Sequence, residues 1–398
     1  MPRLHAFIGI GATKLRACFP YTKQPCIVTH KLHIVCLDAP APPDYGGAID
    51  MYYKVKALAA SGRHIVLHYF DYRAGRDAHG LEPFCTQIHR YERKSFLASL
   101  WEKQPYITGS RNHPELVKRL QSDKAPILLE GIHCAGLLPY FYGERKVLLR
   151  MHNDEAAYYA ALARNEKSVV KRAYYQLESR LLLGFQASLP KDLPMACVSH
   201  SDIAQLKQQY GFSRLDFIPS FTPWQSIEGA DGRGSYCLYQ GNLEVSENRE
   251  AALWLLEHVF AGTGIPFVIA GKGIPESLRA AAAPHPQVRL HNSPSEEEMD
   301  SLVREAQVNV LPSFNTTGLK LKMLHALCRG RHCLTNEAGI AGTAFAGAVE
   351  LAESASEFKA AMQRLWELPF AAEMRDRRQI VTEVYSNERN AARLNAWL

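Results

Sequence analysis

Short runs of consecutive apolar residues recur along this chain, separated by longer stretches in which apolar positions return every three or four residues. In the first half the runs are LHIVCLD (32–38), HIVLHYF (64–70), PILLEG (126–131), KVLLRMH (146–152) and MACVSH (195–200). In the second half they are YCLYQG (236–241), PFVIAG (266–271), QVRLHN (287–292), VNVLP (308–312) and HCLTN (332–336). Unbroken apolar runs of this length predict strands buried on both faces. The helical spacing of residues 51–60 and 156–183 predicts the helices that cover them, so the pattern is that of parallel sheets in an α/β protein. One helix start is marked by residue type, with Ser293 as N-cap, Pro294 in the first helical position and Glu296 completing a capping box.

The alternation breaks once, at PSFTPWQSIEGADGRGS (219–235), whose Pro, Gly and Ser content is that of a linker. The pattern predicts two doubly wound units, residues 31–220 and 236–370, joined by a linker at 221–235 and followed by helices at 371–398. Residues 1–30 show no period and are expected to be a weakly ordered extension. Open parallel sheets bind ligands at the carboxyl ends of their strands, which places the site in the cleft between the two units.

With 47% hydrophobic and 22% charged residues the composition is that of an ordinary globular protein. No apolar run approaches the roughly 18 residues of a membrane helix. The nine cysteines include no C-x-x-C pair, and several sit inside apolar runs, as expected of buried thiols in a reducing cytoplasm. Charge changes the picture more. Residues 1–230 hold 29 Lys and Arg against 20 Asp and Glu, a surplus of nine positive charges; the remainder holds 17 against 20. That asymmetry predicts an anionic or membrane-linked acceptor on the N-terminal side, with Arg90, Arg93, Lys94, Arg111, Lys118 and Arg119 as the steering residues, and a cytoplasmic protein with peripheral contact to the inner face of the membrane. No dense basic cluster interleaved with aromatics is present, so nucleic acid is not an expected partner.

Three segments carry the candidate chemistry. Gly46 and Gly47 lie after the first strand and at the start of a helix, where backbone N–H groups and the positive dipole end hold a diphosphate. The spacing is not the G-x-G-x-x-G of a dinucleotide fold. His152, in RMHNDE, stands at the carboxyl end of a strand, where reacting groups collect. The third segment is TTGLKLKMLHALCRG (316–330), read as a helix from about Gly318 with Leu321, Leu324 and Cys328 on its buried stripe. Lys322 and His325 then share another face, and a lysine one turn into such a helix is placed to neutralise a leaving diphosphate. Gly241 and Asn242 follow one strand, and Lys272 follows another between two glycines. There is no D-x-D pair, no G-x-S-x-G elbow and no G-x-x-x-x-G-K-[ST] loop. His64 and His68 fall on a strand, so no shared metal face is expected.

These segments resemble glycosyltransferase family 4. PSFNTTGLKLKMLHALCRGRHCLTNEAG (312–339) is similar to the family's donor-site segment, and GNLEVSENREA (241–251) to the loop after the first strand of its second domain, with Asn248 at a recurring Asn position. The resemblance implies a GT-B fold, two Rossmann-like domains facing a cleft, with the C-terminal helix crossing back onto the N-terminal domain. It implies retaining, metal-independent transfer of a hexose from a UDP- or GDP-sugar to a glycan or lipid-linked acceptor, with no other cofactor. Lys322 is then the contact to the donor diphosphate, assisted by Lys272, with Gly46 and Gly47 offering N–H groups and His152 beside the transferred sugar. Gly241, Asn242, Asn248, Gly318, Lys320 and His325 complete the donor site. The sequence departs at His325, where many relatives carry a glutamate that holds the ribose hydroxyls, and at Asn315, in a region where another glutamate often contacts the sugar. Two alternatives remain open: a nucleotide-sugar epimerase on the same frame, and a catalytically silent nucleotide-sugar-binding subunit.

Overall fold

The computed structural model describes residues 30–71, 74–95, 104–166, 168–314 and 320–398. The expected extension at 1–30 lies outside these residues apart from His30. The described residues build two parallel sheets. The first holds β1 (Lys31–Cys36), β2 (His64–Asp71), β3 (Cys85–Glu92), β4 (Ile127–Glu130), β5 (Val147–Met151), β6 (Met195–Cys197) and β7 (Leu215–Phe217), in the order β3-β2-β1-β4-β5-β6-β7. The second holds β8 (Cys237–Gln240), β9 (Phe267–Gly271), β10 (Val288–Asn292), β11 (Val308–Val310), β12 (His332–Thr335) and β13 (Glu350–Leu351), in the order β10-β9-β8-β11-β12-β13. In each sheet the order reverses beside its first strand, between β1 and β4 and between β8 and β11. Those are the points where flanking loops diverge and leave a crevice.

The central strands β1, β4, β5, β8 and β9 are buried almost throughout, as their apolar runs require. Four strands escape the pattern. β3 and β10 are edge strands in which Tyr91 is the one buried residue, so the run at 287–292 is not covered on both faces, and β7 and β13 have three and two residues. The stretch at 156–183 divides into helices Glu155–Asn165 and Val169–Ser188, the second capped by Ser168, whose side chain accepts from the Lys171 N–H.

The capping box also moves. Ser295, not Ser293, is the N-cap of helix Glu296–Glu305; its Oγ accepts from the Glu298 N–H at 3.1 Å and the Glu298 carboxylate accepts from the Ser295 N–H at 2.7 Å. The sequence SPSEEE satisfies the S-x-x-E pattern twice. Ser293 is instead committed to leaving β10, in a left-handed turn (φ 54°) with its N–H donating to the Gly271 carbonyl at 2.8 Å.

The last helix, Asn387–Trp397, returns to the first sheet. Ala391, Leu394 and Leu398 are buried in the same apolar cluster as Leu32, Met51 and Val55, and Arg63 Nε donates to Asn395 Oδ1 at 2.8 Å. Within the first sheet, three neighbouring strands carry a buried polar chain. The Tyr91 hydroxyl meets His68 Nδ1 at 3.0 Å, His68 Nε2 meets His33 Nδ1 at 3.0 Å, and His33 Nε2 meets the Asp123 carboxylate at 3.1 Å. His68 therefore serves the sheet interior, and burial holds both imidazoles below their ordinary range.

Candidate functional site

The loop after β1 supplies one wall of the site. Asp38 is fully buried and accepts from the Ala39 N–H and the Tyr45 hydroxyl, both at 2.9 Å. Arg76 spans the loop, bonded to Asp44 and to the carbonyls of Ala39 and Pro42, with its guanidinium 4.8 Å from the centre of the Tyr45 ring. Helix Gly46–Ala60 starts where this loop ends. No side chain caps it and its first turn holds no acid, so its N-terminal N–H groups and dipole favour an anion. A Cβ at Gly46 would stand 3.6 Å from Leu321 Cδ1, so the helix starts of the two halves meet here.

The opposite wall is helix Leu321–Arg329, whose amphipathic pattern buries Met323, Leu324, Leu327 and Cys328. It too begins without a side-chain cap or an acid. Lys322 donates to Asn248 Oδ1 at 3.0 Å and to the Tyr239 hydroxyl at 3.3 Å, and its ammonium lies 4.9 Å from the Tyr239 ring centre. Burial lowers this ammonium to about 8, partly opposed by Glu247; Lys320 is lowered for the same reason. Asn248 is itself held, its Nδ2 donating to the Asn242 carbonyl at 2.9 Å, while Asn242 Oδ1 accepts from the Glu244 N–H at 3.0 Å. The ends of β8 and β9 touch closely enough that a Cβ at Gly271 would run into the Gly241 carbonyl oxygen.

Between the walls lies a cavity of about 1110 Å³ lined by Gly241, Asn242, Lys272, Lys322 and His325 together with Tyr45, Ile49, Trp224 and Asp300. Five residues expected from sequence are thus gathered in one cleft, with Asn248 bonded behind them and Gly46 and Gly47 next to Tyr45. Lys272 is exposed and 3.7 Å from Glu244. Gly318 and Asn315 lie outside the described residues.

His325 is not held as an open polar group. It is buried, its Nε2 meets Asp300 Oδ1 at 3.0 Å, and its ring stacks on Trp224 with centroids 4.5 Å apart and planes 14° from parallel. Burial lowers the imidazole, with Asp300 opposing. The bond from His325, helped by Arg304, keeps the Asp300 carboxyl well below its usual range. A carboxylate therefore does line the cleft beside the middle and end of helix Leu321–Arg329, carried by helix Glu296–Glu305.

His152 is not among the residues lining the cavity. Just beyond β5, its Nε2 meets Glu130 Oε2 at 2.9 Å and its Nδ1 lies 3.5 Å from Asp50 Oδ2. Both carboxylates are buried and already paired. Lys54 Nζ lies 2.7 Å from Asp50 and 2.9 Å from Glu130, and Arg150 donates to both Asp50 oxygens at 3.2 and 3.1 Å and to the Ile218 and Pro219 carbonyls. Burial alone would raise Asp50, but Arg150 and Lys54 hold it far below the carboxylate range; Glu130 is lowered against burial by Lys54 and His152. Asp50, Glu130 and His152 offer three ligand atoms within 4.8 Å of one another. The donor set fits a metal poorly, because a lysine ammonium sits between the carboxylates and two fixed cations balance their two charges. Glu155, next along the chain, is buried, and burial raises its carboxyl to about 7.

Of the basic residues expected to steer an acceptor, Arg90 and Lys118 are exposed, Arg93, Lys94 and Arg119 are half-buried, and one is withdrawn from the surface. Arg111 is buried and donates to the Leu37 and Ile107 carbonyls, both at 2.6 Å. Arg90 pairs with Asp71, Arg93 with the Ser110 hydroxyl, and Arg119 with Glu115 and Tyr91. Leu37, Asp71 and Tyr91 come from other elements and leave no trace in local sequence, whereas Glu115 and Ile107 stand four residues from Arg119 and Arg111. Asp50, Lys54, Trp224 and Asp300 also went unrecognised. Asp50 and Lys54 are i, i+4 neighbours facing the sheet, a placement signalled in sequence only by the charged Arg150 inside the apolar run VLLRM.

Residues 234–367 match the family model described as Glycosyl transferases group 1. A protein of Klebsiella pneumoniae, described as an uncharacterized 44.6 kDa protein in cps region, is 26% identical over 335 residues, covering 79% of this chain and 84% of its own. Among solved structures, sucrose-phosphate synthase from Thermosynechococcus elongatus superposes with a TM-score of 0.65 at 14% identity, covering 92% of this chain and 98% of its own. HepE of Anabaena, solved in complex with UDP and glucose, superposes with a TM-score of 0.65 at 10% identity, covering 93% and 100%.

Proposed function

We propose, for a chain that has the GT-B fold and whose residues 234–367 form a glycosyl transferases group 1 domain, that it transfers a hexose from a UDP- or GDP-sugar to a glycan or lipid-linked acceptor, with retention at the anomeric carbon and without a metal. The observation that carries this reading is the position of Lys322: an ammonium at an uncapped helix start, facing a cleft whose other wall begins with a second uncapped helix. As the glycosidic bond breaks, negative charge collects on the departing diphosphate, and prepositioned N–H groups and a fixed cation stabilise it more in the transition state than in the ground state. Lys272, Lys320 and the N–H groups at Gly46 and Gly47 add to that field. Gly241, Asn242 and Asn248 hold Lys322 and the loop beneath the nucleotide. The Asp300 carboxylate, oriented by His325, accepts from the ribose hydroxyls in place of the glutamate that many relatives carry. His152, fixed by Glu130 and Asp50, stands on the acceptor side of the transferred sugar.

The test is incubation with a panel of UDP- and GDP-hexoses, with and without oligosaccharide or lipid-linked acceptors, following nucleoside diphosphate release and the anomeric configuration of the product by NMR. Acceptor-dependent release with an α-linked product from an α-linked donor is expected. Donor interconversion without release identifies an epimerase, and binding without either identifies a silent subunit.

A further inference from the structure

Apolar exposure on this protein is concentrated in one place. Of the nine large hydrophobic residues recorded as exposed among the described residues, Tyr140, Tyr158, Val169, Val170, Leu177 and Leu183 belong to the helical hairpin at 155–188 or to the segment packed beside it. Val169 and Val170 are 75% and 80% exposed, with no packing among the described residues to cover them. Helix Val169–Ser188 has 20 residues, so it presents this face over about 30 Å. Its cations Lys171, Arg172 and Arg180 are all exposed, Arg180 on the side of Val169 and Leu183 and Lys171 half a turn away in the first turn; Arg172 also donates to the Glu166 carbonyl at 3.0 and 2.8 Å, and Arg164 of the preceding helix is exposed as well. Its one acid, Glu178, is turned inward, accepting from the Tyr106 and Ile107 N–H groups at 3.1 and 2.8 Å. None of the three cations forms an ion pair with an acid among the described residues, in contrast to Arg90 and Arg119 on the same half.

Beside this face is a cavity of about 580 Å³ lined by Leu138, Pro139, Leu181, Phe185 and Leu189, with Arg180 also on its lining. Gln104, Tyr142 and Ser188 also line it, so the slot is of mixed character, and the guanidinium at its edge suits a lipid headgroup phosphate.

We infer that the outer face of helix Val169–Ser188 docks on an anionic lipid bilayer. Val169, Val170, Leu177 and Leu183 enter the boundary between headgroups and acyl chains, Arg172 and Arg180 on the same side meet lipid phosphates, and Lys171 reaches the surface from the rim of the first turn. Interleaved cations and single apolar side chains along one helix fit a fluid anionic surface better than a protein partner, which favours a contiguous apolar centre with a polar rim. Self-association is disfavoured because a two-fold contact sets this cationic face against itself. The inference stands apart from sugar transfer, since its readout is lipid binding.

The test is co-sedimentation of the full chain with vesicles of phosphatidylcholine alone and of phosphatidylcholine mixed with phosphatidylglycerol. Binding is expected only to the anionic vesicles. It should weaken as salt rises from about 0.1 M to about 1 M, where the Debye length falls from about 10 Å to about 3 Å. The triple variant K171E/R172E/R180E is expected to lose about 100-fold or more in vesicle affinity, given roughly fivefold per cation near the surface. Leu177→Gln with Leu183→Gln should weaken binding at unchanged charge. Both variants should keep the wild-type melting temperature, since the replaced side chains are exposed. No binding by the wild type, or equal binding by the charge-reversed variant, overturns the inference; the latter places any membrane contact elsewhere.

Discussion

Lys322 combines a fixed position with a softened charge. Its ammonium is tied to Asn248 and Tyr239, and burial lowers it to about 8, so it is charged at neutral pH and loses that charge within the range an assay reaches. Lys322→Ala is expected to reduce transfer about 10²–10³-fold, the cost of removing one preorganised charge from a developing anion. The melting temperature should stay close to wild type. In the intact protein, donor affinity should fall as the pH rises through about 8, because the cationic form is the one below that value; a flat affinity between about pH 7 and 9 removes Lys322 from the diphosphate site. Asp300 answers a different question. If its carboxylate receives the ribose hydroxyls, Asp300→Asn should raise the donor KM about tenfold or more with a smaller effect on kcat, the loss expected for a charge-assisted hydrogen bond. Unchanged donor KM leaves Asp300 as a structural partner of His325, Arg304 and Arg329. The placement of Lys322 on the cleft was legible from helical spacing, whereas Asp300 reaches the cleft from another helix.

At the scale of elements, β1, β2 and β3 share the chain Asp123–His33–His68–Tyr91 in an otherwise apolar layer. The bonds run in one direction with both imidazoles neutral. Burial lowers both below 6.5, while the unfolded chain takes up protons near that value. The unfolded state therefore binds more protons below about pH 6.5. The stability owed to the pair is complete above that pH and is lost as the pH falls from there toward the lowered folded values. Urea midpoints should drop between about pH 7.5 and 5, and the drop should shrink in His68→Gln. An unchanged midpoint contradicts the linkage. Sequence showed these histidines on strands, which disfavoured a metal at His64 and His68; only strand register, with His33 beside Val66 and Val35 beside His68, brings His33 and His68 within hydrogen-bond distance.

The whole molecule is closed by its last helix. Leu394 is fully buried in the first sheet's core although it follows every residue of the second. Leu394→Ala should cost about 2–5 kcal/mol in urea unfolding, the range for a buried leucine; a cost near zero would mean that the helix docks only through its polar contacts. Transfer should also survive EDTA, because Lys54 and Arg150 already neutralise the two buried carboxylates beside His152. Loss of activity on chelation, restored by Mn²⁺ or Mg²⁺, sinks the metal-free reading. By itself the sequence determined what depends on periodicity along the chain: buried parallel strands, their covering helices, the break between two halves, and glycines and lysines at strand ends and helix starts. Apolar burial is a local property of a two- or 3.6-residue repeat, so it is written locally. Edge strands, the choice between Ser293 and Ser295 as cap, the pairing of His325 with Asp300 and Trp224, and the withdrawal of Arg111 from the surface were decided only by the tertiary structure. The Ser293 N–H, the His325 ring and the Arg111 guanidinium each meet a partner remote in sequence, Gly271, Asp300 and Leu37, and no local pattern encodes which partner that is.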